Sequence, residues 1–221
     1  MHPYSHLVIA AELEKDIQPR QANEYYWGAV VPDIRYLADM QRDQTHLSAE
    51  RILEYMNKYP DLDSFIKGYL IHCLTDLVDL HALLNQRILF RPILQSLPHQ
   101  FMPVMLESYF IEHTRLDIQL SAKPNSVLND LKINNEHISI FSRMINPFVT
   151  NPSFESALEF LKSLGHNNPR IEDYINAARN FDGNILLKSV LFTLSNIPKL
   201  KQQVISEIRS TEAFEQIRVN P

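Results

Sequence analysis

The sequence predicts an all-α protein, and three observations carry that reading. Glycine is scarce, at four residues, and proline is plentiful, at thirteen. That combination favours helices punctuated by proline over sheets full of tight turns. Strict alternation of β-branched residues is rare along the chain. A long stretch without proline, from Asp61 to Phe90, repeats apolar residues three and four apart, which is the period of a helix.

In chain order, a first helix is predicted over about residues 4–15, with His6, Ile9, Ala10 and Leu13 along one stripe. Taken alone, His6 reads as a core histidine bonded to a carbonyl. A short helical piece follows over 21–27. Gly28 breaks it, and Pro32 asks for an extended residue before it, so Asp33 is expected on a loop, where capping the next turn is its plainest role. Residues 42–48 form a polar connector carrying His46, and Ser48 is placed to cap a helix over 49–58. The central helix is predicted over 63–90 and a second long one over 102–120. The polar stretch 123–134 reads as a loop. Helices over 136–146, 154–164, 171–180, 185–195 and 200–217 follow, separated by Pro147, Pro152, Pro169 and Pro198.

The length of 221 residues fits one all-helical domain with a proper core. Residues 1–120 hold the candidate site, and 121–221 read as helical scaffold. A net charge of −5 argues against a polycationic nucleic-acid binder. The single cysteine, Cys73, rules out an intrachain disulfide and a cysteine-based zinc cage. No basic segment followed by an apolar one opens the chain, and no apolar run reaches the ~20 residues of a membrane span. A cytoplasmic protein without a transmembrane segment is expected; the sequence leaves its oligomeric state open.

On the central helix, His72 and Asp76 stand one turn apart, roughly 40° in angle and about 6 Å in rise. An imidazole and a carboxylate in that register can grip one metal ion from a rigid backbone. Asp79 falls on the same wedge, while His81 points roughly opposite His72 if the helix runs on. With nine histidines in the chain, about half of one such pair is expected by chance. Two occur, the second being His113/Asp117, with Glu112 adjacent and Glu107 within two turns. The plain alternative is a set of ion pairs inside an ordinary helical core.

Taken together, the early His6, the Pro-Asp33-Ile loop, Thr-His46, Gly68-Tyr-x-x-His72-x-x-x-Asp76 and His113-x-x-x-Asp117 resemble the zinc-dependent phospholipase C family. They also resemble its relatives, the fungal single-strand-specific zinc nucleases. The resemblance covers the first ~120 residues, and its motif set is moderately specific. It implies an all-helical bundle in which Asp33, His46, His72 and Asp76 bind one zinc and Asp76 bridges to a site shared with His6. His113 and Asp117 then bind another, with His81 nearest to the family's further ligand position; Asp79, on the His72 wedge, is the helix-borne replacement if His81 points away. Two departures bear on the third ion: Met1 stands where family members present a mature N-terminal tryptophan, and the family's next ligand histidine lies one residue further on than His81.

The implied activity is hydrolysis of a phosphodiester, a phospholipid among the candidates, by water activated at two or three Zn²⁺ ions, with Mn²⁺ or Fe²⁺ as alternatives. Asp33 is the candidate catalytic proton acceptor. The alternatives are a nuclease, which the acidic charge disfavours, and a non-catalytic helical binding protein that kept the scaffold.

Overall fold

Fourteen α-helices and two 3-10 turns make up the described residues, 3–85, 101–164 and 169–219, of this computed structural model; no strand occurs among them. The all-α expectation holds. The helices are α1 (Pro3–Ile17), α2 (Ala22–Gly28), α3 (Arg42–Thr45), α4 (Ala49–Lys58), α5 (Asp63–Leu77), α6 (Leu80–Asn85) and α7 (Phe101–His113). There follow α8 (Ser126–Asp130), α9 (Asn135–Thr150), α10 (Phe154–Leu164), α11 (Pro169–Asp182), α12 (Ile185–Ser195), α13 (Ile197–Arg209) and α14 (Glu212–Ile217). The 3-10 turns are Val31–Tyr36 and Pro60–Leu62.

The crossing of α2 and α5 organises the site. A Cβ on Gly28 would lie 2.0 Å from the Phe65 carbonyl oxygen, and one on Gly68 would lie 1.9 Å from that of Tyr25. Two of the four glycines are therefore spent where helix backbones touch, a contact that no side chain permits. The approach is sealed by Tyr25, Trp27, Phe65 and Tyr69, all buried. Tyr25 donates its hydroxyl to the Ala10 carbonyl at 2.9 Å, which ties α1 to the same crossing.

Helix α1 is held at both ends. It starts on Pro3, whose missing N–H is no loss in a first turn. The amides of Tyr4 and Ser5 donate to the Glu107 carboxylate of α7 at 2.9 and 2.7 Å, and Ser5 Oγ donates to it at 2.6 Å. A carboxylate at the positive end of a helix is favourable, although burial pushes the Glu107 pKa up to about 7. Toward its other end, Arg209 of α13 pairs with Asp16 at 2.6 Å, and Lys201 pairs with Glu12.

Several predicted boundaries move. The central helix ends at Leu77 rather than continuing, because Val78 turns extended (φ −69°, ψ 122°). Asp79 then caps α6 by accepting the Ala82 amide at 2.9 Å, an aspartate doing at a helix start what it does best. Residues 86–90 of the predicted helix lie outside the described residues. The second long helix stops at His113, not at 120. Its continuation is captured by tertiary bonds: Tyr4 Oη donates to the Thr114 carbonyl at 3.0 Å and the Ser121 amide donates to Asn23 at 3.1 Å. Within the expected loop 123–134, Asn125 caps the short α8 through the Leu128 amide at 3.0 Å.

Helix α9 passes through Pro147 instead of ending before it, and forgoes the bond that a backbone N–H there would give to the Arg143 carbonyl. The last predicted helix is two, since Ser210 and Thr211 bond the Glu207 and Ile208 carbonyls and Thr211 caps α14. No helix among the described residues is long and apolar enough to cross a membrane.

Candidate metal centre

Four elements bring five of the expected residues to one place. His6 comes from α1, Asp33 from the first 3-10 turn, His46 from just beyond α3, and His72 and Asp76 from α5. Asp33 thus sits on a helical turn, not the loop expected from Pro32. The ligand atoms of His6, Asp33 and His72 lie within 4.8 Å of one another, and so do those of His46, His72 and Asp76. His72 is the member common to both groups.

The ring of His72 is fully buried, and its Nδ1 lies 2.8 Å from the Ala29 carbonyl oxygen. A carbonyl only accepts, so Nδ1 carries the proton and Nε2 is left with its lone pair. Burial lowers the pKa of this imidazole to about 3, keeping it neutral at ordinary pH. The carbonyl that fixes the tautomer follows Gly28 directly. The close helix crossing is therefore what delivers it.

His6 stacks on His72 with ring centroids 3.8 Å apart and planes 16° from parallel. Its Nε2 lies 3.2 Å from Asp76 Oδ1, yet the contact lacks hydrogen-bond geometry, and among the described residues neither ring nitrogen has a hydrogen-bond partner. Burial, followed by the neighbouring His72, lowers its pKa to about 3. A neutral buried imidazole with unmet nitrogens departs from the usual rule that buried polar atoms are paired.

His46 Nε2 lies 3.2 Å from His72 Nε2, 3.2 Å from Asp76 Oδ2 and 3.9 Å from Asp33 Oδ1, while its Nδ1 is 3.1 Å from Thr45 Oγ1. Burial alone would raise the Asp76 pKa, but nearby positive charge at the N-terminus, followed by the hydrogen bond from His46 and the neighbouring His6, outweighs it and holds the carboxyl well below its ordinary range. The second Asp76 oxygen also receives Arg42 Nη2 at 2.8 Å.

Comparison with protein-family models, curated proteins and solved structures finds no match. The chemistry of the site therefore has to be read from its own donors.

Those donors fit a divalent transition metal. Three imidazoles and two carboxylates without cysteine suit Zn²⁺. His72 with its proton on the carbonyl side, and a carboxylate with two oxygens, are what ligation requires. Because His72 Nε2 has one lone pair, its two groups cannot each hold an ion through it at once. Asp76, with two oxygens, is the residue able to serve two positions.

The remaining predicted ligands are not brought here. His113 is exposed, with Nδ1 2.9 Å from the Tyr109 carbonyl oxygen and its ring stacked on Tyr109 at 4.2 Å. Asp117 is exposed and lies beyond the end of α7, so the one-turn register expected for the pair does not form. Neither joins a metal-sized group among the described residues. Asp79 and His81 also stand outside both groups, but the break after Leu77 places them on the wall of a cavity of about 240 Å³ that Asp76 and Arg42 also line.

Sequence reasoning missed Arg42, the Ala29 carbonyl and the anchoring role of Glu107. Arg42 lies on the same polar connector as His46, four residues before it. Its pairing with Asp76 depends on a tertiary contact that no local pattern encodes.

Proposed function

We propose that the cluster is a divalent-metal centre, zinc foremost, and that the protein is a phosphoesterase that hydrolyses a phosphodiester. The observation that carries the reading is His72, neutral, buried and in the ligating tautomer, grouped at metal-binding distances with His46 and Asp76 and with His6 and Asp33. The order of these residues along the chain, which resembles the zinc phospholipases C and zinc nucleases, supports the same class. His6, Asp33, His46, His72 and Asp76 would hold the metal; His113 and Asp117 leave the ligand set.

A bound divalent ion would lower the pKa of a water and offset charge developing on the phosphoryl oxygens. The chain's own residues supply the rest. The apolar walls around α1 and α5 keep solvent from the imidazoles, and Asp76 balances the charge of the ion. Asp33, close to His46, would accept a proton from the attacking water as the water oxygen bonds to phosphorus, one P–O ester bond breaks, and the departing alkoxide takes a proton from solvent. The cavity beside Asp76 gives the phosphodiester its access.

The test is hydrolysis of bis(4-nitrophenyl) phosphate by the purified protein before and after chelation, with zinc restored, alongside Asp76→Asn. The reading expects activity that chelation removes and zinc returns. It expects Asp76→Asn to lose metal and at least ~100-fold in turnover with its helical circular dichroism intact. Full metal content and turnover in Asp76→Asn would remove Asp76 as the bridge.

A further inference from the structure

We propose that Arg42 anchors the substrate of this site by binding a non-bridging oxygen of a monoanionic phosphodiester group; the proposal rests on the metal-centre reading. Arg42 Nη2 bonds Asp76 Oδ2 at 2.8 Å, and the same oxygen lies 3.2 Å from His46 Nε2. A metal held by His46, His72 and Asp76 would therefore share this carboxylate with the guanidinium. Two cations meeting across one carboxylate repel each other, and an anion placed against both relieves that repulsion.

The position of Arg42 suits the task. Its side chain is 51% exposed while that of Asp76 is 7% exposed, so the guanidinium stands between the buried cluster and solvent. It lines the cavity of about 240 Å³ together with Thr75, Asp76, His81, Met102 and Pro103. A guanidinium has five N–H donors in a planar fork, so the bond to Asp76 leaves donors for a phosphoryl oxygen. The short helix α3 that carries it is fixed by a reciprocal capping pair, with the Gln41 amide donating to Gln44 Oε1 at 2.7 Å.

A carboxylate lining the same cavity sets the class of anion. Asp79 lines the same cavity, and its Oδ1 accepts the Ala82 amide, which keeps the carboxylate at the rim. That fixed negative charge disfavours a phosphate monoester, which carries nearly two charges near neutral pH, more than a diester with one. Among the described residues, Arg42 is the only arginine or lysine on the cavity wall.

The test uses the full chain as wild type, Arg42→Gln and Arg42→Lys, loaded with zinc and freed of excess metal. Zinc is measured by mass spectrometry and inorganic phosphate binding by calorimetry, neither of which needs turnover. The proposal expects equal zinc in all three. It expects phosphate binding weakened about tenfold or more in Arg42→Gln and partly restored in Arg42→Lys. The rim charge adds a second expectation: Asp79→Asn tightens phosphate binding in the wild-type background. Equal phosphate affinity in wild type and Arg42→Gln, with zinc bound in both, overturns the anchoring role alone. Loss of zinc in Arg42→Gln overturns it too, since Arg42 would then merely hold Asp76 in place. A wild-type protein that takes up no zinc overturns the metal-centre reading and this proposal with it.

Discussion

His72 owes its neutrality to burial and its tautomer to one carbonyl oxygen, and both features leave a signature in the pH dependence of stability. In metal-free protein, the unfolded chain protonates its histidines near pH 6.5, whereas His6 and His72 in the fold resist protonation until about pH 3. The unfolded state therefore binds more protons in that window, and stability falls as pH drops through it. Glu107 has the opposite sign. Its folded pKa of about 7 stands above the ordinary 4.5, so its contribution is complete below pH 4.5 and is lost as pH rises through 7. Glu107→Gln should therefore gain in melting temperature relative to wild type between pH 5 and pH 8, by the equivalent of up to about 3 kcal/mol. Thermal melts of the two chelated proteins across that range measure the difference; a gap that stays constant with pH would show that Glu107 does not titrate there.

At the level of elements, the α2–α5 crossing links packing to chemistry, because Gly28 and Gly68 let the Ala29 carbonyl reach His72. Gly68→Ala puts a methyl 1.9 Å from the Tyr25 carbonyl oxygen, so the helices must separate. The cost should be about 3 kcal/mol, read from urea denaturation, with weaker zinc binding as the carbonyl moves away. Gly183→Ala, whose Cβ would meet only the Arg179 carbonyl oxygen at 3.2 Å, is the control and should change stability far less. If Gly68→Ala folded with wild-type stability, the crossing would not be the constraint described.

The elements also show what a sequence can reveal. Helix α4 begins after its Ser48 cap as expected, and α10 and α12 match their predicted spans, because caps and apolar periods are local signals. The five clustered site residues were legible as types and spacings. The end of α7 at His113 was not, because hydrogen bonds from Tyr4 and to Asn23, more than ninety residues distant, take over the following backbone. The break after Leu77 carried one readable signal, Asp79 as a cap, but the unbroken apolar period around it argued for continuation. His113/Asp117 shows the limit of the motif itself, since a one-turn spacing means nothing where the helix has ended.

Across the whole molecule, the C-terminal helices brace the helix that carries His6. Leu200 and Val204 of α13 are buried, and Arg209 of the same helix pairs with Asp16 of α1. The partly exposed ion pair should matter little: Arg209→Ala is expected to cost 1 kcal/mol or less, by the usual worth of about 0–1 kcal/mol for such pairs. Leu200→Ala should cost roughly 2–5 kcal/mol through its cavity, as chemical denaturation would report. The two together separate a scaffold held by packing from one held by charge. The central claim, that four separate elements converge to hold a metal ion, is tested most directly by titrating zinc into chelated wild-type protein and His72→Gln. At least one tightly bound ion per wild-type chain, lost or greatly weakened in His72→Gln while the helical signal persists, is the predicted result. A wild-type chain that binds no zinc, manganese or iron would contradict it and leave the five residues as a polar cluster of the core.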